Sequence, residues 1–136
     1  MKRNATAVWQ GSLKEGKGNI TTQSKTLENT QYSFKARFEE GTGTNPEELV
    51  AAAHAGCFTM QLSAFIGEAG HEIEKLETVC TIDFQNGTIV GAHLSVTGKV
   101  AGISNDSFQE LVTKAEKQCP ISRLLNTEIT SEAVLL

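Results

Sequence analysis

Three cysteines, Cys57, Cys80 and Cys119, are the side chains of this 136-residue chain with the widest chemical reach. A thiolate attacks electrophiles and can be oxidised stepwise to a sulfenic acid and a disulfide, whereas a thiol in an apolar core is inert. Cys80 alternates with Leu76, Ile82 and Phe84 and reads as a core residue of a strand. Cys57 lies in the middle of a long apolar helical run, and Cys119 stands directly before Pro120. They are 62 residues apart, and nothing in the spacing itself brings them together.

A nucleophilic thiol needs positive charge nearby to lower its pKa from about 8.5. The helix around Cys57 supplies almost none, and Cys57 is too far from its start for the dipole to help. Arg37 is the better source, with a carboxylate at the helix start as its bidentate holder. Glu47, ten residues before Cys57, lies about 80° from it on the helical wheel, while Glu48 is about 180° away. Glu47 is therefore the candidate holder, and Glu48 a cap or solvent charge. His54 precedes Cys57 by three residues, which leaves a Cys–His pair open beside the plainer role of a buried, hydrogen-bonded histidine. A zinc site from His54, Cys57 and Cys119 lacks a CxxC pair and a fourth ligand at suitable spacing. A cysteine hydrolase lacks an evident orienting partner for His54.

These residues must be positioned by the elements around them. Residues 45–68 form a helix by their start signals: Asn45 to cap, Pro46 at the first position, and Glu47 and Glu48 where the dipole is positive. No charge follows until Glu68, and apolar residues lie on all sides, so other structure should wrap this helix. His54, Thr59, Gln61, Ser63 and many Ala and Gly residues make it too weakly apolar for a membrane span. Before it, residues 5–11 and 17–23 read as strands, and 31–39 alternates as a third, with Arg37 on its polar face. Trp9 is expected to pack. After it, 75–84 and 88–100 alternate around Asn86-Gly87, the chain's clearest hairpin signal. A second helix starts near Ser104–Asp106 and must end at Cys119, because Pro120 disfavours helical backbone there. Pro120 can open a short helical turn with Cys119 at its start, which would aim amide donors at the Cys119 sulfur. Residues 127–135 close the chain as a strand. The class is α+β, in one domain spanning 1–136.

The totals narrow the function classes. Net charge is −4, with no basic block, which argues against nucleic acid as a partner. The start has two basic residues but no apolar run after them, so no signal peptide is expected, and an odd number of unclustered cysteines is no secreted disulfide framework. The expected location is the cytoplasm. At 39% apolar residues, a chain this short is expected to need a second copy to cover its central helix.

Several segments together resemble the osmotically inducible protein C and organic hydroperoxide resistance (OsmC/Ohr) family. They are WQG at 9–11, GKG at 16–18, YSFKARFE at 32–39, GTNPEELVAAAHAGCFTMQLS at 43–63 and CPIS at 119–122. The RFE segment favours the OsmC branch. The resemblance implies antiparallel sheets wrapped around a long central helix, in an intertwined homodimer with active sites at the interface. It implies a thiol peroxidase for organic hydroperoxides, with Cys57 peroxidatic, Cys119 resolving, Arg37 stabilising the thiolate and Glu47 positioning Arg37. The implied reductant is a dithiol of the dihydrolipoyl type, with no cofactor and no metal. Gly56 and Cys80 are local departures from the family pattern. Phe58, Met60 and Phe65 are candidates for an apolar approach to the sulfur. The other classes left open are a non-enzymatic redox-sensing or small-molecule-binding dimer on the same scaffold, and a structural dimer with inert thiols.

Overall fold

A Thr-rich N-terminal segment folds back on itself twice, giving β1 (Ala5–Gln10), β2 (Lys17–Thr22) and β3 (Thr30–Tyr32) in one antiparallel sheet of order β1-β2-β3. The computed structural model describes residues 1–136, and this sheet belongs to the first of two compact units, Met1–Leu49 and Val50–Leu136. Trp9 packs as expected, its ring 5.5 Å from that of Tyr32. Gly18 lies beneath both rings, where an added Cβ would come within 2.5 Å of each, so only glycine fits that crossing.

The alternation at 31–39 is only partly a strand. The chain leaves β3 after Tyr32 and turns into α1 (Phe34–Phe38). Ser33 decides this: its side chain accepts a hydrogen bond from the Ala36 amide at 3.1 Å, offering the backbone a helix start in place of a ladder partner. Phe34 and Phe38 satisfy period two on paper, but they are also four residues apart, and their rings meet at 4.7 Å. Arg37 is therefore a helical residue rather than one on the polar face of a strand.

The central helix, α2 (Pro46–Glu68), starts as its sequence dictates. Asn45 Oδ1 accepts from the Glu48 amide at 2.8 Å, and Glu48 itself accepts from the Thr44 hydroxyl at 3.0 Å. By length and composition α2 would pass for a membrane span. Phe58, Leu62, Phe65 and Ile66 on its inner side are instead part of the protein core. The expectation of a helix wrapped from every side holds for one side only. Ala53, Gly56, Met60 and Ala64 stay exposed, Met60 by 75%.

The second unit builds its core on a sheet of order β4-β5-β6. β4 (Ile73–Gln85) and β5 (Thr88–Val100) are antiparallel, joined at Asn86 and Gly87 with φ of 50° and 76°, the left-handed pair a two-residue hairpin loop requires. α3 (Asn105–Gln118) follows, with Ser104 accepting from the Ser107 amide at 3.1 Å. Then come α4 (Pro120–Leu124) and β6 (Glu128–Leu135). β6 lies parallel to β5, from Gly91↔Glu128 to Gly98↔Leu135, so this sheet is mixed rather than purely antiparallel. A crossover through α3 and α4 permits parallel pairing, which a tight turn does not. One face of β5, with Ala92, Leu94, Val96 and Val100, is buried, and Leu94, Val96 and Val100 join Phe58, Leu62 and Ile66 of α2 and Phe108, Val112 and Ala115 of α3 in one core. The architecture is α+β.

Candidate active site

Proline chemistry builds the cysteine corner. Cys119 ends α3 and caps α4, with φ −55° and ψ 126°, the extended ψ that a following proline imposes. Its amide donates to Ala115 O at 2.9 Å and its carbonyl accepts from Arg123 at 3.0 Å, so both helices share this fully buried residue. The first amides of a helix have no partner within it. The Ile121 amide is one of these, and its effect on Cys57 is to favour the thiolate. Pro120 does open the short turn that the sequence allows, but its Ile121 amide acts on Cys57 and not on Cys119, whose side chain is buried in the core and makes no capping bond.

The Cys57 and Cys119 thiols lie close enough for one to influence the ionisation of the other, and neither is in a disulfide. Burial pushes the Cys57 pKa up, the Cys119 thiol adds to this, and the Ile121 amide acts in the opposite direction. Cys57 is half-buried and opens onto an apolar depression of about 570 Å³, lined by Ala53, Met60 and Ala64 of α2 and by Pro120 and Ile121. Met60 lines the same depression as Cys57. Phe58 and Phe65 do not; both are core residues, 0% and 7% exposed.

His54 is the buried histidine of the two readings. Its Nε2 is 2.7 Å from Ser122 Oγ and its Nδ1 is 3.6 Å from Cys80 Sγ. Cys80 is half-buried at the edge of the core, and burial first, then its electrostatic interaction with Cys119, raises its pKa. Burial lowers the pKa of His54 from 6.5, and Glu116 offsets part of this. The native state therefore binds fewer protons here than the unfolded chain does. The resulting stability is full above pH 6.5 and is lost as pH falls through the depressed folded value. Unfolding midpoints measured between about pH 8 and 5 are expected to drop toward acid, and His54→Gln to flatten that drop. An equal slope in the variant would assign the acid sensitivity elsewhere.

In the first unit, Arg37 and Glu47 are paired. Nε and Nη2 of Arg37 donate at 3.1 and 2.9 Å, both to Glu47 Oε1. The grip is a fork on one oxygen rather than two parallel bonds, and Glu47 Oε2 is buried with no hydrogen-bond partner. Arg37 also lines an apolar cavity of about 200 Å³ with Trp9, Leu13, Tyr32, Phe34 and Phe38. The structure thus joins the four residues singled out by sequence as two pairs, Cys57 with Cys119 and Arg37 with Glu47. Two contributors escaped the sequence reading, the Ile121 amide and Ser122. Pro120 signalled a turn with free amides, but no local pattern says which sulfur they face.

The profile of the OsmC-like protein family matches residues 39–133. The chain belongs to this family. It is 40% identical over 131 residues to a protein named peroxiredoxin OsmC from Escherichia coli (strain K12), covering 91% of this chain and 90% of that one. It is 33% identical over 110 residues to the organic hydroperoxide resistance protein OhrB of Bacillus subtilis (strain 168), covering 78% and 79%. Among solved structures, an OsmC-like protein from Mycoplasma pneumoniae superposes with a TM-score of 0.78 over 100% of this chain and 98% of that one, at 16% identity. The B. subtilis OhrB structure gives a TM-score of 0.57 over 98% of each chain at 24% identity. The fold is thus the OsmC/Ohr fold, with the OsmC-like helix motif carried on α2 and its downstream Cys-Pro at the α3–α4 corner.

Proposed function

We propose that this OsmC-like chain, acting as one domain over residues 1–136, is a thiol peroxidase that reduces organic hydroperoxides to alcohols. The observation that carries the reading is the proximity of two free thiols, Cys57 and Cys119, one of which opens to solvent. The Cys57 thiolate attacks the distal peroxide oxygen, the O–O bond breaks, the alcohol leaves, and Cys57 becomes a sulfenic acid. The Cys119 thiol condenses with it to a disulfide and releases water, and a dithiol of the dihydrolipoyl type restores both thiols by exchange.

Burial disfavours the Cys57 thiolate, so the mechanism needs a cation. Arg37 takes that role, stabilising the thiolate and then the departing oxygen, with Glu47 orienting its guanidinium. Support for this is that the guanidinium is already held by Glu47. The active unit is a homodimer with two sites at its interface, and the uncovered apolar side of α2 supports an assembly that buries it. The proposed location is the cytoplasm. Names of relatives that specify organic hydroperoxide resistance favour this substrate class.

The test is consumption of tert-butyl hydroperoxide with dihydrolipoamide by wild type and Cys57→Ser. Turnover in the wild type that vanishes in the variant supports the enzyme. Wild type no faster than the variant, with other dithiols and peroxides also silent, would favour a redox-sensing or small-molecule-binding dimer.

A further inference from the structure

We propose that the buried His54–Ser122 hydrogen bond is a clamp that holds Cys119 and the Ile121 amide against Cys57, making His54 and Ser122 positioning residues for disulfide closure. The inference deepens the proposed function and rests on it for the identity of the reacting pair.

The geometry has two rungs. On α2, His54 lies one turn before Cys57; at the α3–α4 corner, Ser122 lies one turn after Cys119. His54 meets Ser122 at 2.7 Å and Cys57 meets Cys119, so the contacts are neighbouring rungs between the same two turns. The second rung is the chemical one, and its partners must separate and rejoin in each cycle. The first never reacts and is available to hold the spacing.

α4 is a short element with few anchors. It has five residues, of which only Ser122 is buried, and Leu124 is 74% exposed. Ile121 packs part of its side chain against the core, and Ser122 supplies the buried polar anchor. His54 is 0% and Ser122 8% exposed, so water has poor access to replace the bond. The far side of the imidazole is occupied as well, with Nδ1 against Cys80 Sγ at 3.6 Å. A neutral imidazole has one N–H and one lone pair, and the Ser hydroxyl and Cys thiol can each donate or accept. Both contacts are therefore satisfied in either tautomer, and the ring has no reason to turn away. Thiol–disulfide chemistry requires close and specific sulfur geometry, so loosening this turn slows closure before it unfolds anything.

Diamide provides a test that needs no peroxide. It forms an adduct with one thiolate; attack by the second thiol then gives the disulfide and the hydrazine, which carries away two electrons and two protons. Wild type, Ser122→Ala, Ser122→Thr and His54→Leu are compared by mass spectrometry of alkylated time points, with circular dichroism to establish folding. In Ser122→Ala and His54→Leu, Cys57–Cys119 closure is expected to slow by about 10-fold and the Cys57 adduct to accumulate. Ser122→Thr, which keeps the hydroxyl, is expected to close within about twofold of wild type. Wild-type closure in folded Ser122→Ala, or in folded His54→Leu, overturns the clamp, as does slow closure in Ser122→Thr. A parallel arm treats each protein with tert-butyl hydroperoxide and traps sulfenic acid with dimedone. Wild type that closes with diamide but forms no Cys57–Cys119 disulfide with tert-butyl hydroperoxide, together with a Cys119→Ser variant that gives no dimedone adduct, would sink the peroxidase reading and leave the clamp standing.

Discussion

Cys119→Ser is expected to reduce about one equivalent of tert-butyl hydroperoxide per chain and then stall, whereas Cys57→Ser reduces none. The two thiols are neighbours, but their surroundings differ: Cys57 opens onto the depression, while Cys119 is 0% exposed at the helix corner. On the proposed mechanism the peroxide reaches Cys57, and Cys119 acts only on what Cys57 has become. With serine at 119 no disulfide can form, and the Cys57 sulfenic acid persists until dimedone or a reductant takes it. Steady-state turnover with dihydrolipoamide should fall by at least ~10²-fold in Cys119→Ser, and to background in Cys57→Ser. The decisive measurement is the amplitude of the first burst in each variant. A burst that survives in Cys57→Ser, or full steady-state turnover in Cys119→Ser, would reassign the roles.

Phe108→Ala is expected to destabilise the protein by roughly 3–5 kcal/mol, a large part of the 5–15 kcal/mol that natural domains possess. Phe108 is fully buried on α3 and packs over Gly98 of β5, where an added Cβ would come 2.6 Å from its ring. The ring fills the space that glycine leaves open, so truncation creates a cavity that the sheet backbone cannot collapse into. The unfolding midpoint should drop by roughly 10 °C. Gly98→Ala alone should also destabilise, by about 1–3 kcal/mol of overpacking. Because both changes act on one contact, the double variant should cost less than the sum. Additive losses in a double-mutant cycle would show that the two positions do not share that space.

Local chemistry was sufficient for much of this protein. The Asn45 cap and Pro46 start of α2, the Asn86-Gly87 hairpin and the end of α3 before Pro120 follow from interactions within a few residues, and the structure contains each. The family was equally legible, because the helix motif around Cys57 and the Cys-Pro at 119–120 are contiguous in the chain. Residues 31–39 were misread for a physical reason: period-two alternation also places Phe34 and Phe38 four apart, and one hydroxyl at Ser33 decided between the two structures. The Arg37–Glu47 pair was foreseeable, since an angular argument on the helix selected Glu47 over Glu48, although not its single-oxygen geometry.

Apart from Cys57 with Cys119, which the family resemblance implied, relations between distant segments lay beyond the sequence. The parallel seating of β6, the Ile121 amide on Cys57 rather than Cys119, and the His54–Ser122 bond across 68 positions depend on how helices and sheet pack. Sequence patterns report which face of an element is apolar and where it starts and stops, because these are set by neighbours along the chain. The partner that a side chain meets across the core is set by the mutual fit of all the elements, and only the folded chain specifies that fit.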